Sequence, residues 1–346
     1  MAEVHTRIVY IDPVMPDPAT IAAAAAIIRA GDLVAFPTET VYGLGADALN
    51  PTALGRIYAA KGRPPDNPLI LHLASLDQLA LAVAEVPAIG YTLMQKFWPG
   101  PLTLVLPKSP MVPALATGGL ATVAVRMPAH PVALALIRAA QTLLAAPSAN
   151  CSGRPSPTTA QHVFDDLHGC IALILDGGPT AIGVESTVLD VTCTPPVLLR
   201  PGGIPREALE AASGPVQTTA DGPVQQRSPG MRYRHYSPRA PVLVLEAARP
   251  DILQMQLAAA LRRGQRVGCL LHQLELGEVP PGILVTRVPG GMAEYARTLF
   301  GALRAFDIAG VDLILVEGVV EEGLGAAVMD RLRRAASPPA SQPAPE

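Results

Sequence analysis

Aromatic residues make up only 4% of this 346-residue chain, with a single tryptophan, and charged residues only 16%. Its cores must therefore be filled by Ala, Leu and Val, not by rings. No apolar run reaches the ~18 residues needed to span a bilayer. The opening MAEVHTRIVYIDP lacks the apolar stretch of a secretory signal. A cytoplasmic chain without membrane contact is the expectation. The four cysteines, Cys151, Cys170, Cys193 and Cys269, form no C-x-x-C pair. That spacing excludes a zinc ribbon or a disulfide framework, and leaves reduced, mostly buried thiols as the expected state. A net charge of −3 argues against a surface built as a whole to attract nucleic acid. A local basic patch stays open. Also missing are G-x-x-x-x-G-K-[ST], a G-x-G-x-x-G after a strand, H-E-x-x-H and G-x-S-x-G, which sets aside P-loop, Rossmann-dehydrogenase, zinc-protease and α/β-hydrolase chemistry.

Proline and glycine, by contrast, are plentiful, at 37 and 30 residues. They mark a loop around which the chemistry gathers: Lys61-Gly62-Arg63-Pro64-Pro65-Asp66-Asn67-Pro68, followed by the apolar run Leu69–Leu71 and His72. Three prolines stiffen it, so two cations can be held toward an anion with little ordering cost. Elsewhere, strands end in polar turns. Leu33–Phe36 runs into Pro37-Thr38-Glu39-Thr40-Val41-Tyr42-Gly43, where Thr38 or Thr40 could also cap a helix. Leu143–Pro147 runs into Ser148-Ala149-Asn150-Cys151-Ser152-Gly153, and Val197–Leu199 into Arg200-Pro201-Gly202-Gly203. The alternating stretch 122–126 places Thr122, Ala124 and Arg126 on one strand face. An arginine among apolar neighbours requires either a structural ion pair or a ligand anion.

Residues 213–229 lack periodicity and read as a linker. The following Arg232-Tyr233-Arg234-His235-Tyr236 is too rich in cations and rings for a spacer, and 228–238 is expected to close as a lid. The expected organisation is a catalytic domain over 1–212, a linker over 213–240, a second domain over 241–336 and a disordered tail over 337–346. From Val242 onward strands alternate with helices, which implies a smaller parallel-sheet, three-layer, Rossmann-like domain. Taken together, Thr40, Lys61, Arg63, His72, Arg126, Ser148, Asn150, Ser186 and Arg200 describe a pocket for a polyanion beside a small polar molecule. A nucleoside triphosphate fits that chemistry.

The ordered blocks PTETVYGLG, KGRPPDNPLILH, FWPGPLT, VRMPAHP, APSANCSGRPSPT, ESTVLD and LRPGGI resemble the YrdC-like family. SPGMRYRHYSP with an α/β domain after it is similar to the long form of that family. The resemblance implies an α/β fold, with a twisted mixed sheet around a central cavity in the N-terminal domain. It implies the reaction of L-threonine, bicarbonate or CO2, and ATP to threonylcarbamoyl-AMP and pyrophosphate, with Mg2+ accompanying the ATP and held at no fixed protein site. The product would pass to a tRNA threonylcarbamoyl-transferase machinery. By matching positions, Thr40, His72, Arg126, Ala146 and Ser186 would bind threonine. Lys61, Arg63, Asn67, Thr122, Ser148, Asn150, Ser156, Arg200 and Tyr236 would bind ATP, Lys61 and Arg63 acting in catalysis. Ser148 is then a donor and not a nucleophile, since no local His–acid pair activates it. Two alternatives are weighed. The same basic cavity could bind RNA without turnover. A carbamoyl-phosphate-using relative of the hydrogenase-maturation type would be expected to carry C-x-x-C pairs, which this chain lacks.

Overall fold

The computed structural model describes residues 4–218, 236–246 and 249–337. These fall into two compact units. One comprises 4–152 and 156–218; the other comprises 153–155, 236–246 and 249–337. The expected tail beyond 337 and most of the expected lid, 228–235, lie outside the described residues.

The first unit contains strands β1 (Arg7–Tyr10), β2 (Val34–Phe36), β3 (Gly43–Asp47), β4 (Ile70–His72), β5 (Leu102–Pro107), β6 (Thr122–Arg126), β7 (Leu144–Ala145), β8 (Leu173–Asp176), β9 (Thr187–Asp190), β10 (Val197–Arg200) and β11 (Gln217–Thr218). They form one mixed sheet in the order β1-β8-β2-β3-β7-β4-β6-β5-β9-β10-β11. Its inner strands are buried on both faces. Leu33 and Ala35 join one apolar cluster, while Val34 and Phe36 join another, beneath helices Pro18–Arg29 and Pro131–Ala140. This is the period-two alternation of a strand covered on both sides.

Strand β3 was not anticipated, because G-L-G has little strand propensity. It forms because the Phe36 ring lies across it: a Cβ at Gly45 would come 2.7 Å from that ring. After β4 the chain makes a 3-10 turn at Leu76–Gln78 and a single helical turn at Leu79–Ala82. Lys61 belongs to the helix Pro51–Lys61 and not to the loop, since Gly62, at φ +59°, supplies the left-handed cap one residue later. Of the four cysteines only Cys269 is buried, whereas Cys170 is exposed and Cys151 and Cys193 are half-buried in turns.

The second unit has β12 (Val242–Leu245), β13 (Val267–Leu271), β14 (Ile283–Arg287) and β15 (Leu313–Glu317), all parallel, in the order β12-β15-β13-β14. Helices Pro250–Arg262, Met292–Ala309 and Leu324–Ala336 complete it. Tyr295, Leu299, Leu303 and Phe306 are all buried, as the spacing predicts. At the end of β15 the Glu317 carboxylate accepts the backbone N–H groups of His272, Gln273 and Leu274 at 2.7–3.0 Å. One anion thereby gathers three donors that no strand uses.

Candidate active site

The site grows from Arg126, the last residue of β6. Strand register decides its surroundings. Arg126 pairs with His72 across the parallel β4–β6 ladder. Val125 lies opposite Leu104 on β5, which brings Arg126 level with the start of β5. There β5 runs parallel to β9, Leu102 beside Thr187, and β10 returns antiparallel with Arg200 opposite Val188. The ends of β6 and β10 and the starts of β5 and β9 therefore converge.

Arg126 is 3% exposed. Its Nε donates to the carbonyl of Gly100 at 3.2 Å and its Nη1 to Thr40 Oγ1 at 2.9 Å. The Thr38 hydroxyl donates to the Val41 carbonyl at 2.7 Å, so Thr40 must donate in turn to Thr38, at 2.8 Å. No helix follows. Thr38 also accepts the N–H groups of Thr40 and Val41, which makes 38–41 a side-chain-closed turn and not a helix cap. Nη2 of Arg126 sits 2.6 Å from Glu39 Oε1. The structural ion pair that the sequence left open thus exists, and Glu39 is a site residue that sequence reasoning passed over. Its signal was its place between the two flagged threonines.

His72 is buried beside Arg126. Burial first, and the guanidinium second, hold its imidazole down to about 3, despite the carbonyls of Ile70 and Leu144 that favour a proton. It is therefore neutral throughout the physiological range. His130 is likewise lowered by burial, with the charge of Glu39 opposing the shift. Ala146 packs here through its N–H, which donates to Ile70 O at 3.0 Å.

A second cluster forms around Lys61, 3% exposed at its helix C-terminus. Its ammonium donates to the carbonyls of Ser148 and Asn150. Ser148 Oγ donates to Asn150 Oδ1 at 2.6 Å, and Asn150 Nδ2 to Cys151 O at 2.8 Å. Ser148 thus directs its hydroxyl proton to Asn150. Arg63, 8% exposed, folds onto its own loop, donating to the carbonyls of Asn67 and Pro68 at 3.3 and 2.8 Å.

The two groups of expected residues meet at Ser186. Arg200 donates to Ser186 O through Nε and Nη2 at 3.1 and 2.9 Å, and through Nη2 to Ser186 Oγ at 3.2 Å. Ser186 Oγ lies 2.7 Å from Thr103 Oγ1. The approach needs Gly202: a Cβ there would stand 2.3 Å from Ser186 C and Thr187 N. Next in the chain, Glu185 accepts from Ser156 Oγ. Glu185 and Thr103 were, like Glu39, not singled out from the sequence. Thr122 shares the Arg126 side of β6 but lies four residues, about 13 Å, away. Tyr236 belongs to the second unit, where its ring stacks on Phe300 at 5.4 Å and lies under Arg331 at 5.2 Å. Four cations between 3 and 8% exposed, with hydroxyls between them, make a set of donors suited to a small, highly charged anion.

Comparison with known proteins matches residues 26–202 to the Sua5–YciO–YrdC family profile, described as telomere recombination. Residues 204–337 match the profile of the threonylcarbamoyl-AMP synthase C-terminal domain. The threonylcarbamoyl-AMP synthase of Pyrococcus abyssi is 52% identical over 320 residues, covering 90% of this chain and 92% of that protein. The Bacillus subtilis protein of the same name is 49% identical over 321 residues, covering 91% and 92%. The crystal structure of P. abyssi Sua5 complexed with L-threonine superposes with a TM-score of 0.90 at 50% identity, over 96% of this chain and 98% of that one. Escherichia coli YciO matches at a TM-score of 0.53 and 28% identity, covering 57% of this chain and 96% of its own.

Proposed function

The chain belongs to the Sua5–YciO–YrdC family in its two-domain form, and from that premise we infer an L-threonylcarbamoyladenylate synthase. It takes L-threonine, bicarbonate and ATP and yields threonylcarbamoyl-AMP and pyrophosphate. The observation that carries this reading is the convergence of two donor sets at neighbouring strand ends: Arg126 with Thr40 and His72, and Ser186 with Arg200. All four cations are buried, which favours a small anion over an RNA backbone that would have to reach them.

The substrate amine and CO2 form a carbamate, a weak and labile nucleophile. Nucleotidyl transfer follows when a carbamate oxygen attacks the α-phosphorus, forming the new P–O bond as the bond to pyrophosphate breaks. The protein's work is to position, neutralise and exclude water. In this reading Arg126 holds the threonine carboxylate, a planar fork for a planar anion. Thr40, neutral His72, Ala146 and Ser186 define the space for the side chain. Lys61, Arg63 and Arg200 take the phosphates, with Asn67, Thr122, Ser148, Asn150 and Ser156 around the nucleotide. Mg2+ would come with the triphosphate, whose oxygens supply much of its shell, and would offset phosphate charge. The product would serve a tRNA-modifying transferase.

The test is pyrophosphate release from ATP, with threonine and bicarbonate each omitted in turn. The expected result is release that requires both. Release indifferent to threonine would refute the reading.

A further inference from the structure

Glu39 is the feature of this site with the least to satisfy it. It is 9% exposed, and its contact with Arg126 at 2.6 Å is a close ion pair without hydrogen-bond geometry. Among the described residues neither carboxylate oxygen of Glu39, nor Nη2 of Arg126, completes a hydrogen bond. A buried carboxylate with two bare oxygens is costly to keep, and a glutamine of the same shape would avoid the charge. The guanidinium meanwhile donates to Gly100 O through Nε and to Thr40 Oγ1 through Nη1, and its Nη2 faces Glu39.

A carboxylate arriving at Arg126 must displace Glu39 or lie beside it. Two carboxylates on one guanidinium repel, unless the second gains a cation of its own. A zwitterionic amino acid brings that cation on the carbon next to its carboxylate. We propose that Glu39 is the recognition group for the α-ammonium of the substrate, held on Arg126 as an internal stand-in for the substrate carboxylate until an amino acid exchanges with it. The proposal rests on the reading that Arg126 binds the substrate carboxylate. It adds a reason for selecting amino acids over other hydroxy acids: a bare carboxylate would take Arg126 and strand Glu39, whereas an amino acid satisfies both.

The test is calorimetric binding to the intact chain of L-threonine and of 3-hydroxybutyrate, which is threonine without its amino group. The unsubstituted protein should bind threonine at least 100-fold more tightly than 3-hydroxybutyrate. Glu39→Gln should weaken threonine by 10-fold or more and shrink the preference to a few-fold, because the freed Arg126 accepts either carboxylate. A preference in Glu39→Gln equal to that of the unsubstituted chain would overturn the proposal. The unsubstituted protein alone also decides it, whether or not Glu39→Gln folds: 3-hydroxybutyrate binding within threefold of threonine excludes an ammonium-recognising carboxylate. No threonine binding to the unsubstituted chain, or undiminished binding to Arg126→Lys, would instead refute the parent reading and the role of Glu39 with it.

Discussion

His72 offers a test in which the structure dictates sign and size. Its folded-state value lies near 3 against an ordinary 6.5, chiefly because burial disfavours the imidazolium. The unfolded chain therefore takes up a proton, as pH falls below 6.5, that the folded chain refuses. Above pH 6.5 the group contributes nothing to pH dependence. Between 6.5 and 3 it removes stability progressively, and below 3 the loss is complete. Each pH unit in that window is worth about 1.4 kcal/mol, so at pH 5 His72 alone should remove about 2 kcal/mol relative to pH 8. His72→Asn deletes the titration. Urea unfolding of both proteins at pH 8 and pH 5 isolates it, because the other histidines are common to both. The single tryptophan makes the assay local: Trp98 lies in the first unit with His72, and its indole N–H donates to Leu102 O at 2.7 Å. Its fluorescence should show the unsubstituted chain losing about 2 kcal/mol more than the variant. Equal losses would mean that His72 accepts a proton in the folded state, and the argument for its burial-driven neutrality would fail.

Arg126→Lys keeps a charge near Glu39 but loses the fork to Gly100 and Thr40; threonine-dependent turnover should drop by the equivalent of about 2–5 kcal/mol, and unchanged threonine kinetics would contradict it. Lys61→Ala and Arg63→Ala should each weaken ATP use while leaving threonine binding, measured calorimetrically without nucleotide, intact; wild-type ATP kinetics in both would remove these two buried cations from the nucleotide site. Gly202→Ala forces a methyl into the Ser186–Thr187 backbone and should cost about 3 kcal/mol or more, read as a lowered melting temperature, with a near-neutral result refuting the close approach. Glu317→Ala strands the N–H groups of His272, Gln273 and Leu274 and should destabilise the second unit by about 3 kcal/mol; faster amide exchange at those residues is the accompanying sign.

Much of this molecule is written locally. Pro18 and Pro51 open helices and Gly62 closes one, since fixed φ and a left-handed cap are properties of single residues. The alternation of 122–126 and the apolar runs of 242–245, 267–271 and 313–317 announce strands, and the 3.6-residue spacing of Tyr295, Leu299, Leu303 and Phe306 announces a buried helix face. Arg126 is conspicuous even in the bare sequence, as a charge on an apolar strand that needs an anion. Which anion was not legible there. The sequence offers Glu39, Glu185 and many other carboxylates. Only the parallel register of β4 with β6, and the turn closed by Thr38, put Glu39 on that guanidinium while Glu185 turns to Ser156. Strand β3 was hidden for the same reason: its glycines are stabilised by a ring from Phe36 on another strand, not by their own propensity. Periodicity and capping act between residues a few positions apart and survive in the linear chain. The partner of a buried charge is chosen by distant strands aligned to the residue, where one step of register would turn the side chain to the opposite face.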